Sequence, residues 1–351
     1  MGESQVRAGG TCLSSYMPYE WPFGSRVLTA AVLGPAQPTP ARRPGSIRRT
    51  STIDMSWPRG LDGGVHCAGS CRDLVTDVSG AARVVDLASV TADISPERFY
   101  LAVDSVPERA SLKELVGARG AAGSRTRMGQ LIAEDKEQGT PLYLLMDDIP
   151  AAGLISGQIR SEWIAPDDRP PFQGGLGMFD NICTGHAAGS AHFGADGSVM
   201  AVQQTRAVPP LADPTDPLGW NEHAPDGREP SMRRARRIDV WVEAGEIHVD
   251  AFFQDSGINP DGVRFAVHEY TLTATASADG VLTSITAEPH VLPYDTCPAA
   301  VDNVGRMVGT ALPEFRSTVI KTLPGILGCT HLNDMLRSLA EVPVLAGLLD
   351  R

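Results

Sequence analysis

The sequence predicts an α+β protein: two β-β-β-α-α units related by an internal duplication, each an antiparallel sheet with helices packed on one face. Three observations lead there. β-rich runs follow one another with turn residues between them, helical spacing follows each group of runs, and the second half of the chain repeats the apolar pattern of the first.

In chain order, residues 1–47 carry Pro35, Pro38, Pro40 and Pro44 among small and basic residues. Without apolar periodicity they read as a tail that cannot offset its ordering entropy, so deleting 1 to about 45 is expected to shift stability by less than about 0.5 kcal/mol. The first unit spans 48–164. Its strands are Val65 to Val75, Ala82 to Ile94 and Phe99 to Val106, and helical spacing follows over Ser111 to Val116, Arg125 to Glu137 and Leu142 to Ile149. Residues 165–230 form an irregular connection interrupted by a strand-like run, Ser198 to Gln204. The second unit, 231–351, has strands Ile238 to Val242, Glu246 to Phe253, Val263 to Ala276 and Val281 to Leu292, the last two joined by a hairpin turn at Asp279-Gly280. Helical patterns then run through Val301, Val304, Met307 and Val308, and through Leu332, Met335, Leu336 and Leu339.

The duplication rests on particular alignments. The run from Ala81 (AARVVDLASVTAD) lies over that from Val263 (VRFAVHEYTLTAT), Leu115-Val116-Gly117 over Met307-Val308-Gly309, and Gly139-Thr140-Pro141 over Gly328-Cys329-Thr330. The first copy lacks the Cys and His of the second, which places the chemistry in the second.

Composition bounds the function. At 351 residues, two domains fit, and a net charge of −12 repels a phosphate backbone, so nucleic acid is not an expected partner. No run of about 18 apolar residues occurs and the N-terminus lacks a signal-peptide layout, so no membrane partner and a cytoplasmic location are expected. A homodimer is compatible with these features. The six cysteines, at 12, 67, 71, 183, 297 and 329, are too scattered for a disulfide scaffold and read as reduced thiols. Gly174-Gly175-Leu176-Gly177 is not followed by a helical pattern, so no nucleotide cofactor is expected.

Chemistry-bearing residues concentrate late in the chain. His248 and Asp250 share one strand face; so do His268 and Tyr270, with Glu269 opposite. Cys297 sits at a helix start, where the dipole favours a thiolate for nucleophilic attack or metal ligation. Cys329, Thr330, His331, Asn333 and Asp334 open the last helix, and Asp334, three residues on, can orient the His331 imidazole. Each has a plainer reading: a solvated sheet face, a buried inert thiol, a helix cap. Cys183-Thr184-Gly185-His186, with His192 nearby, has the spacing of a zinc half-site but no partner pair.

Arg48-Arg49-Thr50-Ser51-Thr52-Ile53-Asp54, Gly139-Thr140-Pro141, Arg237-Ile238-Asp239-Val240-Trp241, Val267-His268-Glu269-Tyr270, Pro293-Tyr294-Asp295-Thr296-Cys297-Pro298 and Cys329-Thr330-His331-Leu332-Asn333-Asp334 together resemble the bacterial family filed as domain of unknown function 2889, over about residues 46–350. That resemblance implies catabolic settings, including aromatic and acyl-substrate degradation. The order of hairpin, helix-start cysteine and terminal Cys/His helix is also similar to the NifU-type iron-sulfur scaffold, which implies ligands at Cys297, Cys329 and His331. Where that scaffold has a cysteine and an aspartate, this chain has His268 and Glu269, a mixed set better suited to one zinc or iron ion than to a cluster.

The resulting expectation is a catabolic hydrolase or lyase acting on a small organic acid, aromatic or acyl compound, an acyl-CoA among them. His331, Cys329, Asp334, His268 and Glu269 are its candidate catalytic residues, and Cys297, Cys329, His331 and His268 its candidate ligands for a zinc or iron ion. The alternative is a non-catalytic metal or iron-sulfur carrier.

Overall fold

Buried arginines run down the middle of the sheet. The computed structural model describes residues 32–36, 38–120, 123–165, 180–187, 190, 204–223 and 227–349, and among them builds one antiparallel sheet of nine strands with helices. The strands are β1 (Ser46–Ser56), β2 (Val65–Thr76), β3 (Ala82–Ile94), β4 (Tyr100–Val106), β5 (Arg206–Ala207), β6 (Ser231–Glu243), β7 (Glu246–Ile258), β8 (Arg264–Ala276) and β9 (Leu282–Val291). Their spatial order is β4-β3-β2-β1-β6-β7-β8, and both β9 and the short β5 pair with the outer edge of β8. Each half therefore has four long strands, as read for the second half but one more than read for the first, and one more than the three of a β-β-β-α-α unit. The strand missed in the first half is β1, whose Arg48 and Arg49 disguise a central strand as a polar one.

Helices α1 (Ser124–Leu131), α2 (Ala133–Gln138) and α3 (Pro141–Ser161) follow β4, and α4 (Phe315–Thr322), α5 (Thr330–Ser338) and α6 (Val342–Gly347) follow β9. Thr140 caps α3, its hydroxyl accepting from the Tyr143 N–H, and Pro141 occupies the first turn, where a missing N–H costs nothing. The expected Asp279-Gly280 turn closes β8 onto β9 with Gly280 at φ 80°, a left-handed conformation that suits glycine. The run Ser198–Gln204 lies outside the described residues except for Gln204, as do His192, Cys12 and the Gly174–Gly177 segment.

Side chains alternate, so β1 and β6 each present two different sets. Toward the helices point Ile47, Arg49, Ile53 and Met55 from β1, and Met232, Arg234, Arg236, Ile238 and Val240 from β6. Two apolar cores form on this side. One gathers Ile47, Val240, Phe253, Leu272 and Leu336; the other Ile53, Val90, Leu145 and Met232. The arginines lie between these cores, each paired with acids: Arg49 with Asp73 and Glu341, Arg234 with Asp255 and Asp334, Arg236 with Asp148.

The two halves match across the β1–β6 seam. Arg48 stands opposite Asp239 and pairs with it, as Arg233 stands opposite Asp54 and pairs with it. Arg49 lies opposite its partner Asp73, as Arg234 lies opposite Asp255, and the next ladder outward in each half, β2–β3 and β7–β8, is bulged directly after that aspartate. Gly117 N–H donates to the Tyr100 carbonyl just as Gly309 N–H donates to that of Leu282.

The opposite face of the sheet is covered by irregular chain. Asn221 bonds Thr50 and Thr52, and Leu211 and Trp220 pack with Ala235 and Phe252. Residues 32–45, expected as tail, contribute here as well. Leu33 and Gly34 N–H groups donate to Pro289 and His290 carbonyls at 3.0 Å, the Ala36 N–H meets the Glu269 carboxylate, and Arg42 pairs with Asp216 at 2.9 Å. Deleting 1–45 is thus expected to cost about 1–3 kcal/mol, because it strips the Ala36 N–H from the buried Glu269 and Arg42 from Asp216. Urea unfolding of a 32–351 and a 46–351 chain checks this; equal midpoints would return 32–45 to the tail.

Candidate metal centre

Three residues from three elements converge beneath the helix side of the second half. Asp255 lies near the end of β7 and His268 opposite it on β8, and the strand pairing sets them side by side. His331 enters from the first turn of α5. Their ligand atoms all lie within 4.8 Å of one another. The His268 and His331 rings stack with centroids 3.5 Å apart and planes at 18°, and His331 Nε2 is 3.7 Å from Asp255 Oδ2.

Electrostatics keep both imidazoles neutral. Burial, reinforced by the nearby Arg234 guanidinium, pushes His331 down to about 3, and burial with the adjacent His331 holds His268 well below the usual histidine value. Asp255, wholly buried, receives both arms of the Arg234 fork at 2.8 Å. His268 Nδ1 is buried and, among the described residues, has no hydrogen-bond partner, an arrangement that costs free energy unless something else meets it. Unprotonated imidazoles, a carboxylate and one unmet nitrogen fit a transition-metal ion.

The expected site residues are only partly brought together. His268 and His331 meet; Glu269 points to the other face of the sheet, where it bonds Gln254 and the Ala36 N–H. Asp334 does not orient His331. It is drawn toward Arg234 and Arg125, and although burial opposes its ionisation these guanidinium groups hold its carboxyl below the usual range. The carboxylate facing His331 is Asp255, which the sequence reading passed over. Its signal was the Arg-Arg of β6 paired against a lone strand acid, repeated as Arg49 against Asp73. His248 and Asp250 lie on the opposite side of the sheet, His248 stacked on Trp241 and Asp250 paired with Arg237.

Cys329 Sγ lies 3.7 Å from His331 Nδ1, at the edge of the centre. Cys297 opens a 3₁₀ helix, Cys297–Met307, as the helix-start reading requires. Burial nevertheless pushes both thiols up, so neither is an activated thiolate by virtue of its position.

Residues 232–345 match the family described as protein of unknown function, DUF2889. All three converging residues fall inside the DUF2889 segment, whereas the matched features of β1 and β2 precede it. No curated protein and no solved structure matches the chain.

Proposed function

We propose that this protein is a metal-dependent enzyme, a hydrolase or lyase for a small organic acid or acyl compound, whose zinc or iron ion is held by Asp255, His268 and His331. The observation that carries this is the convergence of the three donor atoms within 4.8 Å. Two imidazoles and one carboxylate make an incomplete shell, and a three-ligand site leaves a position for water or substrate. Metal-bound water supplies a nucleophile or base at neutral pH.

One observation favours the second reading, a carrier that holds metal without turnover: Asp255 is wholly buried and His268 nearly so. A common origin of the two halves is also proposed, supported by the matched ion pairs and bulges. In the first half Asp86 occupies the strand position of His268, so only the second half has both imidazoles.

His331→Ala and His268→Ala are expected to lower bound metal in the purified full chain by about one equivalent while leaving it folded, measured by elemental analysis beside circular dichroism. Folded variants that keep all their metal would remove the reading.

A further inference from the structure

Beyond this centre, and independently of its being catalytic, we infer that Cys183, His186, Cys297 and Cys329 form a second, thiolate-rich site that takes a zinc ion in a closed, structural shell. The residues come from three separate stretches of chain. Cys183 and His186 belong to the connection between the halves, and Cys183 Sγ lies 3.3 Å from His186 Nδ1, a separation that suits two ligands of one tetrahedral ion. The connection is pinned at this point: Thr184 N–H and its hydroxyl both donate to the Gly328 carbonyl, at 2.8 and 2.9 Å, which sets Cys183 beside Cys329. Gly185 fits because it has no side chain. A Cβ there would lie 2.5 Å from Cys297 Sγ and 3.8 Å from Cys183 Sγ, so both sulfurs crowd the same small space.

Two further features point to an ion rather than to apolar packing. The fully buried Tyr270 hydroxyl shares a hydrogen bond with the Cys329 thiol and lies within electrostatic reach of Cys297 and Cys183, so a polar group is enclosed together with the three sulfurs. Backbone amides also aim at the sulfurs, those of His186 and Gly185 at Cys183 and those of Leu332 and His331 at Cys329. Amide donors of that kind are the outer shell that metal thiolates use. Without an ion these thiols stay protonated, because burial raises all three, Cys183 to about 12. Zinc binding would displace three thiol protons to solvent and leave three thiolates and one imidazole on the metal. No three of these four donor atoms lie within 4.8 Å of one another, as those of Asp255, His268 and His331 do, so closing the shell requires these side chains to move inward.

The test uses the full chain, reduced and loaded with zinc or cobalt(II). X-ray absorption at the zinc edge of the unaltered protein is expected to show a sulfur shell at about 2.3 Å beside the nitrogen and oxygen ligands of the other centre, and the cobalt form a thiolate-to-metal charge-transfer band. Cys183→Ser and Cys297→Ser should each abolish that band. His268→Ala should keep it and lose one equivalent of metal from the other centre. If His268→Ala keeps the band and all its metal, the catalytic reading fails and the thiolate site stands. Zinc bound through nitrogen and oxygen alone, absence of bound zinc, or a band unaffected in folded Cys183→Ser and Cys297→Ser would each overturn the thiolate site. The absorption experiment needs no variant, so misfolding of a cysteine mutant does not block the test.

Discussion

Arg49→Ala is expected to destabilise the protein by about 3–5 kcal/mol or to prevent its accumulation in soluble form. Arg49 is 2% exposed and holds the Asp73 carboxylate through two bonds of 2.6 Å, the Glu341 carboxylate at 2.6 Å and the Gly139 carbonyl at 2.7 Å. Removing the guanidinium strands Asp73 without its cation, and Glu341 is left with Arg316 alone. The cost is that of an uncompensated buried charge, which exceeds the value of the pair itself. Arg43→Ala, by contrast, loses only an exposed pair with Glu243 and an overlying contact with Trp241, and should cost about 1 kcal/mol or less. Urea unfolding of the two variants side by side makes the comparison. A loss below about 1 kcal/mol for Arg49→Ala would mean that the buried acids find other partners, and the seam would not be a structural hub.

The second large effect is acid lability. His331, depressed to about 3, and His268, depressed in the same direction, are neutral in the folded protein at pH values where the unfolded chain binds a proton on each. The unfolded state therefore takes up more protons as pH falls below about 6.5, and stability drops with it, by roughly 1.4 kcal/mol per pH unit for each histidine while the difference persists. Asp147 and Asp334, held low by surrounding arginines, add a further loss only below about pH 4. Unfolding midpoints measured with a chelator present, from pH 7.5 to 4.5, should fall steeply below 6.5, and a His268→Phe/His331→Asn chain should show a flatter profile. A wild-type curve that is level from pH 7 to 5 would show that the two rings are not held neutral.

The strands with ordinary alternation were legible before the structure. Ala82–Ile94 is found at the expected bounds, and β2, β4, β8 and β9 lie within a residue of theirs. β1 was not, and β6 was read only from Ile238 although it starts at Ser231. Both failures have one physical cause. Hydrophobic periodicity marks a strand by assuming that charge faces water, whereas Arg48, Arg49, Arg233, Arg234, Arg236 and Arg237 are all buried, on both faces of the sheet, against acids that for most of them come from other strands or helices. The site was half legible for a related reason. His268 and His331 are conspicuous residue types, but Asp255 becomes a candidate only when β7 is set against β8, and Cys183 only when the connection folds back to Gly328.

The seam between β1 and β6 has a consequence for how the chain is made. Emerging vectorially from a ribosome, β1 can pair with β2 at once, but its other edge stays unfilled until residues 231–243 have been translated. Through that interval the nascent chain displays an edge strand whose natural partner is similar to itself, with Arg48 and Asp54 spaced to meet an Asp and an Arg on a strand running the other way. A second nascent chain offers the same complement. Neighbouring polypeptides on one message are therefore the foremost competitors for this edge, and strand-exchanged dimers are the misassembly to look for when expression is fast.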